Sequence, residues 1–228
     1  MEITPIAYFK SPLKTKFGVP KQSGLAQSLQ GKIVFTPEWR DAEALRGMEG
    51  FDYLWLIWAF SANKHKATAT TVRPPVLGGN TRMGLWATRS PYRPNIGLSA
   101  VKIEQIEYDS AEGPVIHVSG ADLMDSTPIF DIKPYVPYAD AFPDARSGFT
   151  GLDKIKTLQV DIPQEIEQQL GSALTTTLKE VLALDPRPQY HHDAERVYGM
   201  AFENYDIHFK VDNEKVQVIS ASSSTLNR

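Results

Sequence analysis

Arg89 and Arg93 stand four residues apart in Ala87-Thr-Arg-Ser-Pro-Tyr-Arg-Pro-Asn95, where Pro91 and Pro94 pre-set the backbone around them. A guanidinium is a planar, permanently charged fork that matches carboxylate and phosphate oxygens. Holding it on a stiff loop lowers the entropy lost when it meets a ligand. Four more segments share this polar, Gly- and Pro-punctuated character: residues 19–25, 72–79, 120–128 and 131–135. One such loop reads as strand punctuation with solvated cations. Five read as the walls of a ligand site.

The charge distribution points the same way. The chain has 228 residues and a formal net charge of −3. Residues 53–103 hold Lys64, Lys66, Arg73, Arg82, Arg89, Arg93 and Lys102 but no Asp or Glu. That stretch is therefore +7, while the remainder, with 17 cations against 27 acids, is −10. At the average acid frequency roughly six acids would fall in such a window. The asymmetry suggests an anion-facing surface, with phosphate or nucleic acid as the leading partners.

Several chemistries are excluded by what the sequence lacks. With no cysteine there is no disulfide, Cys-based zinc site, iron–sulfur cluster or catalytic thiol. No Walker A sequence occurs and no GxGxxG follows a strand, which argues against an NTPase or a Rossmann-type dinucleotide site. His65, His117, His191, His192 and His208 show no metal-ligand spacing, and the adjacent pair His191-His192 points apart in an extended chain. No metal is expected. No GxSxG offers a serine nucleophile. The first residues lack a basic stretch followed by an apolar run. The most apolar stretch, residues 54–60, is too short to span a bilayer. The expectation is a cytoplasmic protein with no membrane partner.

The elements that must position these loops are mostly strands. Alternating or near-continuous apolar runs predict strands over 3–9, 31–35, 51–60, 84–87, 97–105 and 115–119, with 129–143 extended. Residues 14–28 and most of 63–95 read as loops. Thr36-Pro37 offers a helix start, and 41–46 a helical turn or two stopped by Gly47. Short strands joined by Gly/Pro turns suggest an all-β barrel or sandwich. Composition changes near 147–153, which divides the chain into domains 1–148 and 149–228. The second begins with a strand over 155–161. Ile166, Leu170, Leu174, Leu178 and Leu182 then predict one helix over 163–184, ended by Asp185-Pro-Arg-Pro188. A hairpin over 205–219 completes a small α+β module. The mainly β first domain and this module form the expected fold.

At this level of detail the motifs are recognisable. Gly84-Leu-Trp-Ala-Thr-Arg-Ser-Pro-Tyr-Arg-Pro-Asn-Ile-Gly-Leu-Ser99 closely resembles the signature of the TsaA-like, or TrmO, family. So do Lys16-Phe-Gly-Val-Pro-Lys-Gln-Ser-Gly-Leu25, Thr71-Val-Arg-Pro-Pro-Val-Leu-Gly-Gly-Asn80 and Asp122-Leu-Met-Asp-Ser-Thr-Pro-Ile-Phe-Asp-Ile-Lys-Pro-Tyr135. Asp185-Pro-Arg-Pro-Gln-Tyr190 resembles the second-domain motif of the bacterial members. The resemblance covers nearly the whole chain. It departs at one point: the family pattern commonly has a proline after the asparagine, whereas Asn95 is followed directly by Ile96.

The resemblance implies an N-terminal β-barrel that binds S-adenosylmethionine without a Rossmann sheet. It implies methylation of N6 of threonylcarbamoyl-adenosine at tRNA position 37, next to the anticodon, by a homodimer. By motif position the cofactor pocket takes Ser23, Gly24 and Leu25, then Ser61 and Ala62. Arg89, Leu98, Ser119, Gly120, Ala121 and Asp122 complete it. The acceptor nitrogen is a weak nucleophile that asks for a base or a polarising contact. Asp122, Asp131 and Tyr135 are the candidates, with Asp125 beside them. Arg93, Lys133, Arg187 and Tyr190 are the candidate contacts to the tRNA anticodon loop, cations for phosphate and a ring for stacking. The alternatives are a module that binds S-adenosylmethionine or tRNA without catalysis, and a methyltransferase for another small acceptor.

Overall fold

Leu54, Leu56 and Trp58 are buried while Tyr53, Trp55 and Ile57 between them face outward, the period-two pattern of a strand with one face on a core. In the computed structural model, which describes residues 2–63, 69–78, 80–89, 95–151, 155–188 and 193–224, this segment is one wall of a closed six-stranded barrel.

The barrel uses β1 (Ala7–Lys10), β2 (Gln30–Phe35), β3 (Tyr53–Ala59), then, after a short excursion, β6 (Ile96–Glu107), β7 (Val115–Ser119) and β8 (Thr127–Pro134). The strands pair antiparallel in the order β1-β2-β7-β6-β3-β8, and β8 returns to β1 to close the wall. Closure leaves no free edge and encloses a core of Ala7, Phe9, Ile33, Leu54, Leu56, Val101, Ile116, Val118 and Ile129. The excursion is a two-stranded ribbon, β4 (Thr71–Val72) with β5 (Met83–Gly84). Within 84–87 only Gly84 is strand, as the end of β5. Leu85–Ala87, read as strand from sequence, turns as 3-10 helix.

Three other expectations are corrected by the backbone. The extended reading of 129–143 ends at Pro134, and α1 (Pro137–Asp140) follows. Pro137 fits a first helical position, and the Val136 N–H donates to Asp140 Oδ2 at 2.7 Å, closing the start of the turn. The helix expected over 163–184 is two helices, α2 (Gln164–Leu170) and α3 (Ser172–Ala183), divided at Gly171 with φ +78°. A repeat of four residues drifts about 40° per step around a straight helix, so five such residues cannot all meet one core. The break re-aims the second half. Finally, β10 (Tyr198–Phe202) was not expected at all.

The second module is a four-stranded sheet in the order β10-β11-β12-β9, built from β9 (Gln159–Asp161), β10, β11 (Tyr205–Asp212) and β12 (Lys215–Ser223). α3 lays Leu178, Val181 and Leu182 over Met200, Phe202, Ile207 and Phe209. Leu13, Ala26 and Leu29 belong to this same core, so a segment from the first part of the chain completes the second module. A bridge between Leu13 and Phe202 and the Glu203 N–H donating to the Pro12 carbonyl at 2.7 Å tie the two together.

Candidate cofactor site

At one end of the barrel, β7 runs out at Ser119 and the chain turns through Gly120 with φ +74°, a left-handed conformation that glycine adopts without steric cost. The turn makes two backbone contacts. The Gly24 N–H donates to the Gly120 carbonyl at 2.7 Å, and the Gly120 N–H donates to the Leu29 carbonyl at 3.0 Å. A Cβ at Gly120 would lie 3.5 Å from Gly24, so the two loops touch backbone to backbone. The sequence-predicted residues Ser23, Gly24 and Leu25 are thereby brought beside Ser119, Gly120, Ala121 and Asp122.

Asp122 is the chemical centre of this arrangement. Its carboxyl is pushed above its ordinary value of 3.8 by burial, which penalises the charged form. Four groups oppose that push, the strongest first: the Ser99 hydroxyl, which donates to Oδ1 at 2.5 Å, the backbone N–H of Asp122 itself, the positive charge of Arg89, and the Ser23 backbone N–H. Ser99 is in turn fixed by the Trp58 indole, whose Nε1 donates to Ser99 Oγ at 3.0 Å. Both Trp58 and Ser99 are buried, so the relay is built into the barrel wall.

A cavity of about 200 Å³ opens beside Asp122, lined by Lys16, Val19, Trp58, Phe60, Ser61, Ala62, Met124 and Thr127 among others. The Trp58 and Phe60 rings meet at 4.3 Å between centroids. The loop carrying Ser61 and Ala62 is pinned to the start of β6. The Phe60 N–H donates to the Asn95 carbonyl at 3.0 Å, and Asn95 Nδ2 donates to the Phe60 carbonyl at 3.2 Å. Asn95 does this at φ +71°, a conformation asparagine tolerates better than most side chains. Arg89 reaches the other side of the loops, where it donates to Gln22 Oε1 at 2.8 Å, next to Ser23.

The remaining predicted residues are distributed differently. Ala121 is 2% exposed and its side chain belongs to the barrel core, so it presents backbone only. The Ser119 hydroxyl donates to Glu104 Oε1 at 2.6 Å and, with Lys102, holds the Glu104 carboxyl below its usual range. Leu98 lies on the outer face of β6, opposite Ile57 and 49% exposed, away from the cavity. Asp131 and Lys133 alternate along β8 on the outer face and pair with each other at 2.5 Å. Tyr135 packs its ring on Trp55 and Tyr53 on that same face. Of the three catalytic candidates, Asp122 alone lines the cavity. Arg187 pairs with Asp185 at 2.9 Å in the second module, closing the turn after α3. Arg93 and Tyr190 lie outside the described residues, as do His191 and His192.

Trp58 and Ser99, which complete the hydrogen-bond chain to Asp122, were not singled out from the sequence. Trp58 sits on the buried phase of the apolar run, which marks it as core. Ser99 is the last residue of the signature, yet nothing local shows that its hydroxyl meets a carboxylate 23 residues away. Lys16, Met124 and Thr127 stand inside recognised motifs and were passed over for their smaller or glycine-rich neighbours.

The closed barrel with its appended four-stranded module places the chain in a class of known proteins. Residues 8–141 match the tRNA-methyltransferase O N-terminal domain and residues 155–224 the TrmO C-terminal domain. A tRNA (adenine(37)-N6)-methyltransferase of Escherichia coli (strain K12) is 36% identical over 224 residues, 94% of this chain and 95% of that protein. One of the same name from Eikenella corrodens is 40% identical over 164 residues, 71% of this chain and 92% of that protein. The crystal structure of TrmO from Pseudomonas aeruginosa superposes with a TM-score of 0.77 at 31% identity, covering 98% of this chain and 99% of that one. The chain belongs to the S-adenosylmethionine-dependent tRNA (adenine(37)-N6)-methyltransferase, or TrmO, family.

Proposed function

We propose that the cleft around Asp122 binds S-adenosylmethionine and that the chain methylates N6 of threonylcarbamoyl-adenosine at position 37 of tRNA. The observation that carries this reading is Asp122 itself, a carboxyl with a raised pKa at the meeting point of the loops 23–25, 61–62 and 119–122. The donor set suits the group. Asp122 matches an ammonium or ribose hydroxyl, Arg89 a carboxylate, and the Trp58 and Phe60 rings an aromatic base or a sulfonium cation. A cavity of about 200 Å³ is smaller than the ~300–1,000 Å³ usual for ligands of this size, so a bound cofactor would extend from it over Ser23 and Gly120 toward Arg89.

When bound, S-adenosylmethionine supplies an electrophilic methyl group on sulfur. The chain's contribution is alignment and proton handling. Backbone at Gly24 and Gly120 lets a ligand approach closely. Asp122 is the base we assign to the acceptor nitrogen. Burial keeps its carboxylate more basic than one in water, which suits removal of the N6 proton as the new N–C bond forms. Lys133 and Arg187, with Arg93 and Tyr190, are proposed tRNA contacts. For Arg187 this requires exchanging Asp185 for a phosphate.

The division into domains 1–148 and 149–228 assigns the cofactor residues to the first and Arg187 and Tyr190 to the second. A homodimer is supported by the outer face of the barrel. Ile96 and Leu98 are exposed there on β6, two apolar side chains on one face. A second copy on that face would cover Ile96 and Leu98. A tRNA substrate implies the cytoplasm. No helix among the described residues is long and apolar enough to cross a membrane, and no group of three or more metal-ligating side chains occurs among them.

The test is incubation with methyl-labelled S-adenosylmethionine and tRNA with or without threonylcarbamoyl-adenosine. Label on the modified tRNA alone supports the reading. Cofactor binding with no transfer to either tRNA shows a non-catalytic module. Label on unmodified tRNA or on a small molecule shows a different acceptor.

A further inference from the structure

We propose that the second module takes part in methyl transfer through Glu180, a positioning residue that holds the cofactor loop in its binding conformation. The proposal rests on the reading that Ser23, Gly24 and Leu25 contact the cofactor.

Residues 21–28 contain no helix or strand, so the loop cannot fix its own backbone. It is held from both sides. On the barrel side, Gly24 and Leu29 bracket Gly120 through the two hydrogen bonds described above. On the other side, the Ser28 N–H donates to Glu180 Oε2 at 2.8 Å. Thr177, one turn earlier on the same face of α3, donates from Oγ1 to the Ser28 carbonyl at 3.0 Å and accepts from Ser28 Oγ at 3.2 Å. All the polar groups of Ser28 are thus engaged by α3, across about 150 residues of sequence. Ala26 and Leu29, on either side, are buried in the second module's core.

The geometry makes α3 a clamp. Ser28 lies three residues beyond Leu25, a span of at most about 10 Å of chain. Freedom given to Ser28 therefore reaches the cofactor residues directly. The Glu180 carboxylate is the strong point of the clamp, because a hydrogen bond to a charged acceptor is about twice as strong as a neutral one. Without it the Ser28 N–H is left unpaired and the loop samples other conformations. The cost of ordering it then falls on cofactor binding. A helix of the second module, remote from the chemistry, would thereby set affinity for S-adenosylmethionine rather than for tRNA.

The experiment uses the full chain. Isothermal titration with S-adenosylmethionine is run on wild type, Glu180→Ala and Glu180→Gln, with KM for cofactor and for tRNA measured in parallel. Glu180→Ala is expected to weaken cofactor binding about tenfold, the effect of losing one hydrogen bond to a charged group. KM for tRNA should hold. Glu180→Gln keeps an oxygen acceptor and should recover most of the affinity. The Ser28 amide should exchange faster in Glu180→Ala, with the rest of α3 protected as in wild type. If Glu180→Ala does not fold, Glu180→Asp, whose carboxylate is drawn back by one methylene, carries the same expectation. Wild-type affinity in a folded Ala or Asp variant overturns the proposal, as does an equal rise of both KM values. Failure of the wild-type chain to bind the cofactor would instead overturn the reading of the site on which it rests.

Discussion

The Ser99 hydroxyl donates to Asp122 Oδ1 across 2.5 Å, and the Trp58 indole donates to the same Ser99 oxygen at 3.0 Å. Two buried residues of the barrel wall thus set the orientation and the acidity of the one carboxyl that lines the cavity among the described residues. Ser99→Ala removes the donor and orphans the Trp58 N–H. We expect a loss of about 1–3 kcal/mol in folding stability, the cost of an unsatisfied buried donor. The acid limb of the pH–activity profile should move to higher pH, since the charged form of Asp122 loses a stabilising contact. Denaturant unfolding and a pH–rate profile read the two effects separately.

Asp122→Asn should separate stability from function. The folded chain holds the Asp122 proton more tightly than the unfolded chain does, so the folded state binds more protons once the pH passes the ordinary value of 3.8. Stability is then lost as pH rises from there toward the folded-state pKa, the reverse of a salt-bridged aspartate. Asparagine has no charge to bury and still accepts from Ser99. The variant should unfold at higher temperature than wild type at neutral pH, with the gap closing in acid. Methyl transfer should fall about 10²–10⁴-fold, the range a positioned base contributes.

Gly97 is required by the Trp58 ring. A Cβ there would lie 2.3 Å from the indole, closer than side-chain atoms approach. Gly97→Ala must displace the ring and with it the Ser99 contact. We expect about 1–3 kcal/mol of destabilisation, as for overpacking a filled core. Near-ultraviolet circular dichroism should show a changed tryptophan environment.

Leu98, one position further along β6, tests the outer face. Leu98→Asp places a charge among Ile57 and Ile96 on a surface that is already exposed. In a monomer the change should alter stability by no more than about 0.5 kcal/mol. In a homodimer using this face it should give monomers in sedimentation analysis.

The strands were legible where side chains alternate between two environments. β11 could be read this way from Tyr205, Ile207, Phe209 and Val211, whereas β3 was read from the length and aromatic content of its apolar run. The extended reading of 129–143 put Asp131 and Lys133 on a strand without saying which way they face. Which face meets the cavity depends on barrel closure, a pairing of β8 with β1 across more than 100 residues, and no local pattern encodes it. The contact of Ser99 with Asp122 was hidden for the same reason. Segments 19–25 and 120–128 stood out by their Gly, Ser and Pro content, which follows from backbone requirements within each loop, whereas the positions 23–25, 61–62 and 119–122 were singled out only through the family resemblance. The division of the long helix was missed because the leucine repeat continues through Gly171, whose positive φ re-aims the chain.

The most direct test of the account is nucleoside analysis of tRNA after incubation with the chain and S-adenosylmethionine. The account predicts that threonylcarbamoyl-adenosine from position 37 gains one methyl group on N6. It also predicts that Asp122→Asn abolishes most of that gain while the chain stays folded. A wild-type chain that binds S-adenosylmethionine yet leaves this nucleoside unmethylated, or an Asp122→Asn variant with undiminished transfer, would contradict it.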